Sequence, residues 1–397
     1  MKKLTVIGDI MCEPSIMDAG KLADGNYSYD FVFENAKRIW KDSDFVVGNL
    51  EFPLAEDMEL TSAFDVFNAP QPFGQAAKDA GLDLVSIVNN HTLDRTWEGA
   101  LRTMRYLETI GLPYTGAFKS AEDRKEAYYV ELGGAKIAII AYTYSTNCKL
   151  TPEQSEEIEP LINYLRPASA PTYTPEVQLK FKTWVDKLFP KMDKKKRANL
   201  KKFLHVSCKP FARADDLVVP ECEKFLNNLR ADIRKAKENA DFVLFYPHVG
   251  GQFNVQPGKF SELVFKTALE EKVDAIFASH SHIVQKAEWA GEIPCAWSMG
   301  NYNMDSTSKI VVKTDYPEIG IIMHLYLEGS KIEKVTFSMT KAVWEDGKYR
   351  TYPVTDLKEK LDEKGKEKLS AEVQAVLDRI YSKKYEGKLF LEEYTLS

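Results

Sequence analysis

Lys2-Lys3-Leu4-Thr5-Val6-Ile7-Gly8-Asp9-Ile10-Met11 opens the chain, and its reading decides the fold. Leu4 to Ile7 form a short apolar and β-branched run that stops on a glycine and a carboxylate, the pattern of a buried strand with a polar group at its carboxyl end. The pattern recurs. Phe45 to Val47 runs into Gly48-Asn49-Leu50-Glu51, Leu84 to Val88 into Asn89-Asn90-His91, Phe242 to Tyr246 into His248, and Ala275 to Ala278 into His280-Ser281-His282; Lys136 to Ala141 is a further strand. Helical patterns lie between them at Phe225 to Ala236, Leu263 to Leu269 and, most clearly, Trp97 to Ile110, where Trp97, Leu101, Met104 and Leu107 share a face and Gly111 supplies the stop. Strands alternating with helices predict an α/β protein with a parallel sheet.

Two additions surround this frame. Residues from about Lys149 to Arg213 are punctuated by proline and then dense in lysine between Glu176 and Phe203, which reads as a helical insertion. It interrupts the chain between segments that both deliver strand ends, so it is expected to form a mobile cover over the crevice there. From Gly320 onward, Ile321 to Leu327 and Lys331 to Met339 read as an antiparallel pair turned at Glu328-Gly329-Ser330. Leu357, Leu361, Leu369, Val373, Val376 and Leu377 then recur at helical spacing. The expected division is a main domain over residues 1–340, with the insertion at about 149–213, and a C-terminal helical extension over residues 341–397 packed on it.

A chain of 397 residues with 44% apolar and 28% charged residues has the composition of a globular protein with a sizeable core. Its formal net charge of -6 argues against nucleic acid as a partner, because phosphate backbones demand a basic footprint. Five scattered cysteines, with no Cys-x-x-Cys pair, read as reduced thiols. The apolar run after Lys2 and Lys3 is too short for a secretion signal, and no stretch is long enough to span a bilayer; the chain as written therefore reads as cytoplasmic.

In open parallel sheets the carboxyl ends of strands converge on one crevice, so the five polar segments are expected to meet. Singly, each has a blander reading: Asp9 as a helix cap or turn residue, Glu51 as a solvated loop carboxylate, His91 as a satisfied histidine. Taken together they favour a site, since four of the six histidines and a carboxylate from each of the first two strands fall at strand ends. His280 and His282, two apart on extended chain, face one side and can share an ion or serve two adjacent ions. Imidazole, carboxylate and carboxamide donors suit divalent manganese, iron or zinc. His205 and His324 stand outside the pattern and read as structural. Lysines 194 to 196, with Arg197, Lys201 and Lys202, read as a solvated helix face; the functional alternative is an entry for a polyanion.

These blocks resemble, in order, the signatures of the bacterial capsule-synthesis CapA, or poly-γ-glutamate, family within the calcineurin-like metallophosphoesterase superfamily. The resemblance rests on Gly8-Asp9-Ile10-Met11, Asn49-Leu50-Glu51, Asn89-Asn90-His91 with Asp94, Gly116-Ala117, His248-Val249-Gly250, His280-Ser281-His282 and Ser298-Met299-Gly300-Asn301-Tyr302. It implies a β-sandwich of mixed sheets flanked by helices. It also implies two divalent ions held by Asp9, Asn90, His91, His248, His280 and His282, with Glu51 as the bridging carboxylate and Asn49 as its competitor for that place. Asp94 would orient His91, and His91 or His248 would assist proton transfer. Asn49, Asn301 and Lys195 are the candidate substrate contacts.

The chain departs from the superfamily at Met11, where a histidine ligand is usual, and from the family at Arg95-Thr96 and Gln252. A thioether is a poor ligand for such ions, so the position relying on Asp9 is expected to be the weaker. The resemblance implies a metal-dependent hydrolase of a phosphoester or of poly-γ-glutamate, with an anionic substrate and association with a membrane capsule-synthesis complex. The alternative is a non-catalytic polymer-binding or assembly component that keeps the fold.

Overall fold

The computed structural model describes residues 1–56, 58–63, 66–148, 150–168, 184–193, 196–197, 200, 215–305 and 315–396. Lys194, Lys195, Lys201, Lys202 and His205 lie outside the described residues, as does most of the expected insertion; the cover and polyanion-entry expectations fall there with them.

The strands in chain order are β1 (Lys2–Ile10), β2 (Phe45–Leu50), β3 (Thr61–Ala63), β4 (Val66–Asn68), β5 (Leu84–Ser86), β6 (Tyr114–Thr115), β7 (Tyr128–Leu132) and β8 (Ala135–Thr143). After the insertion come β9 (Phe242–His248), β10 (Ala275–Phe277), β11 (Ala287–Ala290), β12 (Ile293–Ala296), β13 (Ile319–Glu328), β14 (Lys331–Glu345), β15 (Lys348–Pro353) and β16 (Tyr394–Thr395). They build two large sheets, ordered β15-β14-β13-β1-β2-β5-β6 with β16 beside β14, and β11-β12-β10-β9-β8-β7; β3 and β4 form a separate hairpin. In the first sheet β1, β2, β5 and β6 run parallel on one side and β13, β14 and β15 are antiparallel on the other; in the second, parallel β8, β9, β10 and β12 lie between antiparallel edges β7 and β11. The strand and helix alternation predicts one parallel sheet; the structure has two mixed ones, as the family resemblance implies.

Side-chain alternation explains the layering. In β8, Ile137 and Ile139 join a core shared by both sheets, with Leu4 and Val6 of β1, Leu244 of β9 and Met323 of β13. Ala138 and Ile140 point the other way, into a core closed by the helices Cys222–Asn239 and Lys259–Glu270. On the outer face of the first sheet, Ile7, Val46 and Val85 meet the helices Pro72–Asp79 and Thr96–Ile110. The result is a four-layer arrangement with a sheet pair at its centre. The helix Thr96–Ile110 ends as its sequence predicts: Gly111 adopts φ 65°, a left-handed cap natural to glycine.

The antiparallel pair is also present, with Glu328 opposite Lys331 across the turn. It runs further than the sequence reading: β14 continues to Glu345 and β15 follows, so position 340 lies inside a strand and the C-terminal segment begins in the sheet. The helices Val354–Lys360 and Glu363–Ile380 then close the shared core with Leu357, Leu369, Val373, Val376, Leu377 and Ile380. Among the described residues no helix is long and apolar enough to cross a membrane.

Candidate metal centre

β1, β2 and β5 in one sheet and β9 and β10 in the other all end at the same pole of the sandwich. A bridge between Asp9 and Asn301, and the Asp9 amide donating to the Gly300 carbonyl at 3.1 Å, tie the loop after β12 to the end of β1. Gly8 is required beside it, since a Cβ there would sit 2.3 Å from the Gly300 oxygen.

Glu51 stands at the centre of the cluster. It is fully buried, and neither carboxylate oxygen has a hydrogen-bond partner. Its Oε1 lies 3.5 Å from His248 Nε2, 3.7 Å from His282 Nε2 and 3.9 Å from His91 Nε2. Two donor sets share it: Glu51 with His248 and His280, and Glu51 with Asp9 and His282, the ligand atoms of each lying within 4.8 Å of one another. Asn90 joins the first set through its Oδ1, 2.7 Å from His248 Nε2.

The neighbours of each donor fix its aim. Asp9 Oδ1 accepts from Asn49 Nδ2 at 2.8 Å and Oδ2 from the His280 amide at 2.9 Å. His91 Nδ1 donates to Asp94 Oδ2 at 2.6 Å, which turns Nε2 toward Glu51. His282 Nδ1 donates to Asn301 Oδ1 at 2.7 Å in the same manner. His280 and His282 sit at φ 95° and 56°, so the chain is bent there rather than extended, and each ring reaches a different donor set. This differs from the extended pair predicted from their spacing.

The electrostatics suit cations. Burial works to raise the Asp9 carboxyl, but the imidazoles of His248 and His282 hold it down to about 2. Burial works to lower His248, yet Glu51 and Asp9 lift it to about 9. His280 is pushed well below its ordinary value by burial and then by the charges of its histidine neighbours. His248 Nε2 faces His280 Nδ1 at 3.1 Å as well as Asn90 Oδ1 and Glu51 Oε1, so lone pairs converge with too few protons to satisfy them. Such a set fits divalent cations.

Asn49 and Asn301, read as substrate contacts, are turned inward instead. Asn49 bridges Asp9 and Asn89, whose Nδ2 donates to its Oδ1 at 3.0 Å, while Asn301 Nδ2 donates to the carbonyls of His282 and Pro317. They orient donors, because their amides are used up within the protein. Met11 packs in the apolar cluster on the outer face of the first sheet. The sequence reading missed Ser279, whose Oγ lies 3.0 Å from His248 Nδ1, and Tyr144, whose ring lies 4.4 Å from that of His280. Tyr144 follows the end of β8, so the strand-end rule that singled out the other five segments could have found it.

Fold and cluster together define a two-sheet α/β protein with a candidate metal centre at its strand ends. A family model described as "Bacterial capsule synthesis protein PGA_cap" matches residues 3–306, and the chain belongs to that family. Among curated relatives, the capsule biosynthesis protein CapA of Bacillus anthracis is 24% identical over 308 residues, 76% of this chain and 59% of that protein. The chain thus spans about three-fifths of that relative's length. A solved structure of a hypothetical protein from Thermus thermophilus is 14% identical with a TM-score of 0.37, covering 88% of this chain and 98% of that one. A 5'-nucleotidase structure from Candida albicans SC5314 is 9% identical with a TM-score of 0.39, covering 94% and 57%.

Proposed function

We propose that the chain is a metal-dependent hydrolase that holds two divalent ions across Glu51 and acts on an anionic substrate, a phosphoester or a poly-γ-glutamate type polymer, in capsule biosynthesis. The observation that carries the reading is the Glu51 carboxylate, wholly buried, without a hydrogen bond, and common to both donor sets. A carboxylate left so costs several kcal/mol unless a cation compensates it; without metal protonated His248 does so in part, and a bound ion would take over that role. Asp9 and His282 would hold one ion, and His248, His280 and Asn90 the other; manganese, iron and zinc all fit these donors. When bound, the ions supply Lewis acidity to a substrate oxygen and to a water.

The protein's own groups supply the rest. Asp94 fixes His91 so that Nε2 faces the centre, where it can give or take a proton at the leaving group. Asn49 and Asn301 keep Asp9 and His282 aimed at their ion. Elemental analysis of protein purified without chelator, followed by a phosphodiester and polyglutamate panel with added manganese, iron or zinc, tests the reading. Bound metal without turnover of any substrate would favour the competing role of a polymer-binding component, for which Met11 in place of a ligand is the supporting observation.

A further inference from the structure

The two described ends of the insertion come to rest behind His280. Residues 163–165 run beside the end of β8: the Thr143 amide donates to the Asn163 carbonyl at 2.9 Å, and the Leu165 amide to the Thr143 carbonyl at 2.8 Å. That pairing delivers Arg166 to the interior, where it is 1% exposed. Its Nε donates to the Tyr144 carbonyl at 3.1 Å. Its guanidinium lies over two rings, 4.8 Å from the centre of Tyr144 and 5.1 Å from that of Phe260. The Tyr144 ring in turn lies 4.4 Å from the His280 imidazole, and the Tyr144 amide donates to the His248 carbonyl at 3.0 Å. Where the chain returns, buried Asp215 accepts from the amides of Gly258 and Ser261, in the turn that carries Phe260.

Taking a guanidinium out of water is costly; here its charge is felt by buried Asp215, while its planar face is turned to Tyr144. Metal-binding imidazoles are commonly steadied by an acceptor on the far nitrogen. His91 has Asp94 for this and His282 has Asn301. His280 is arranged differently: its Nδ1 faces His248, and the Tyr144 ring backs it.

We infer that Arg166 is a positioning residue for His280, acting through Tyr144. Phe260, the guanidinium, the Tyr144 ring and the His280 imidazole, whose plane is tilted 41° to that of Tyr144, form one run of contacts that sets the angle at which His280 meets the ion it shares with Glu51 and His248. The inference rests on the two-ion reading above. Contact between a cation and a ring face stiffens this run. Arginine suits the place because one planar group offers both a stacking face and an in-plane donor to the Tyr144 carbonyl, which lysine does not.

Cobalt(II) titration of the full chain, followed by visible absorption and elemental analysis, tests it, with His280→Ala marking which of the two binding steps depends on that imidazole. Arg166→Met is expected to weaken that step roughly tenfold or more, the range found for partners that orient a ligand, and to leave the other within about twofold. Tyr144→Leu should weaken the same step, while Tyr144→Phe, which keeps the ring, should match the wild type. Because Arg166 acts through Tyr144, Arg166→Met with Tyr144→Leu should be no worse than Tyr144→Leu alone. Both steps unchanged in Arg166→Met, both weakened alike, or additive losses in the double variant would overturn the inference. If Arg166→Met does not fold, Arg166→Lys takes its place: it keeps the charge but loses the planar face and the in-plane donor, and it should weaken the same step, whereas a wild-type step in Arg166→Lys would overturn the inference. A wild-type protein that takes up no cobalt would instead sink the two-ion reading, and this inference with it.

Discussion

His324 and His248 are both buried, yet their surroundings differ in kind. His324, in the middle of β13, places Nδ1 2.9 Å from Thr5 Oγ1 and Nε2 3.1 Å from Ser338 Oγ. Hydroxyls donate or accept as required, so a neutral ring is fully matched there, and burial pushes its pKa down to about 3. His248, at the end of β9, is ringed by groups that mostly accept, and it is held up to about 9 although burial opposes this. Burial alone therefore does not mark a functional histidine. What marks it is a neighbourhood that lacks protons.

The sharpest way to break the comparison is at Glu51. Glu51→Gln removes the one group common to both donor sets, so metal uptake should fall at both positions by more than the roughly 10–100-fold that follows loss of an orienting partner. Melting with and without metal is the second readout. The wild type should gain about 2.7 kcal/mol when free metal exceeds its dissociation constant a hundredfold, and Glu51→Gln should gain almost nothing. A variant that still took up two ions would remove the basis for calling this cluster functional.

Next in size is the effect of pH on metal binding. Metal-free His248 keeps its proton up to about pH 9, so an ion that takes its lone pair must expel that proton. At pH 7.5 binding should release close to one proton from His248, and affinity should rise about tenfold per pH unit toward that value. Calorimetry in buffers of different ionisation enthalpy measures the release. No release would place His248 outside the metal set.

A smaller effect is expected at His324. His324→Phe removes one hydrogen bond each from Thr5 and Ser338, which keep Ser43 and the Glu392 carbonyl as partners, and the two losses together should cost about 1–3 kcal/mol, with metal stoichiometry unchanged. The sign of the pH dependence follows from a folded pKa of about 3, below the ordinary value of 6.5. The unfolded chain takes the proton first as pH falls, so this contribution is fully present above pH 6.5 and is lost between there and about pH 3. In metal-free protein the wild type should therefore lose stability more steeply than His324→Phe over that window. Urea titrations at several pH values measure it, and equal slopes would contradict the assignment.

The comparison also explains what could be read in the sequence. Asp9, Glu51, His91, His248, His280 and His282 were legible because each ends a short apolar run, and a strand that stops on a ligand-type residue is a local signal. The pairing of sheets was not legible from periodicity. Ile137 and Ala138 face different cores, and a strand buried on both sides looks alike whether a helix or a second sheet covers it. Asn49 and Asn301 read as substrate contacts because a carboxamide near a site does so, while whether its amide is already occupied depends on partners in other segments of the chain. The stack of Arg166 and Tyr144 was invisible for the same reason, since it joins the foot of the insertion to a loop more than a hundred residues away. Past Met339 the alternation of β14 dissolves into Lys341 and Glu345, so the sequence pattern ends before the strand does.

The smallest expected effect concerns Met11, and it asks whether sequence position or local packing controls the Asp9 ion. By position, a histidine there would supply the usual missing ligand, and Met11→His would raise affinity at the weaker site. By packing it would not. Asn303 clamps the Met11 backbone from both sides, accepting from its amide at 2.9 Å and donating to its carbonyl at 2.8 Å. The side chain belongs to the same apolar cluster as Ile10, Ile16 and Tyr29. An imidazole placed there joins that apolar cluster. Met11→His is therefore expected to change affinity at the Asp9 position by less than about threefold and to lower stability by about 1–3 kcal/mol, the cost of burying a polar group without a partner. Metal titration beside a urea melt reads both quantities. A tenfold tighter Asp9 site with stability unchanged would show that the ring swings out of the apolar cluster to reach the ion, and that Met11 alone made that position weak.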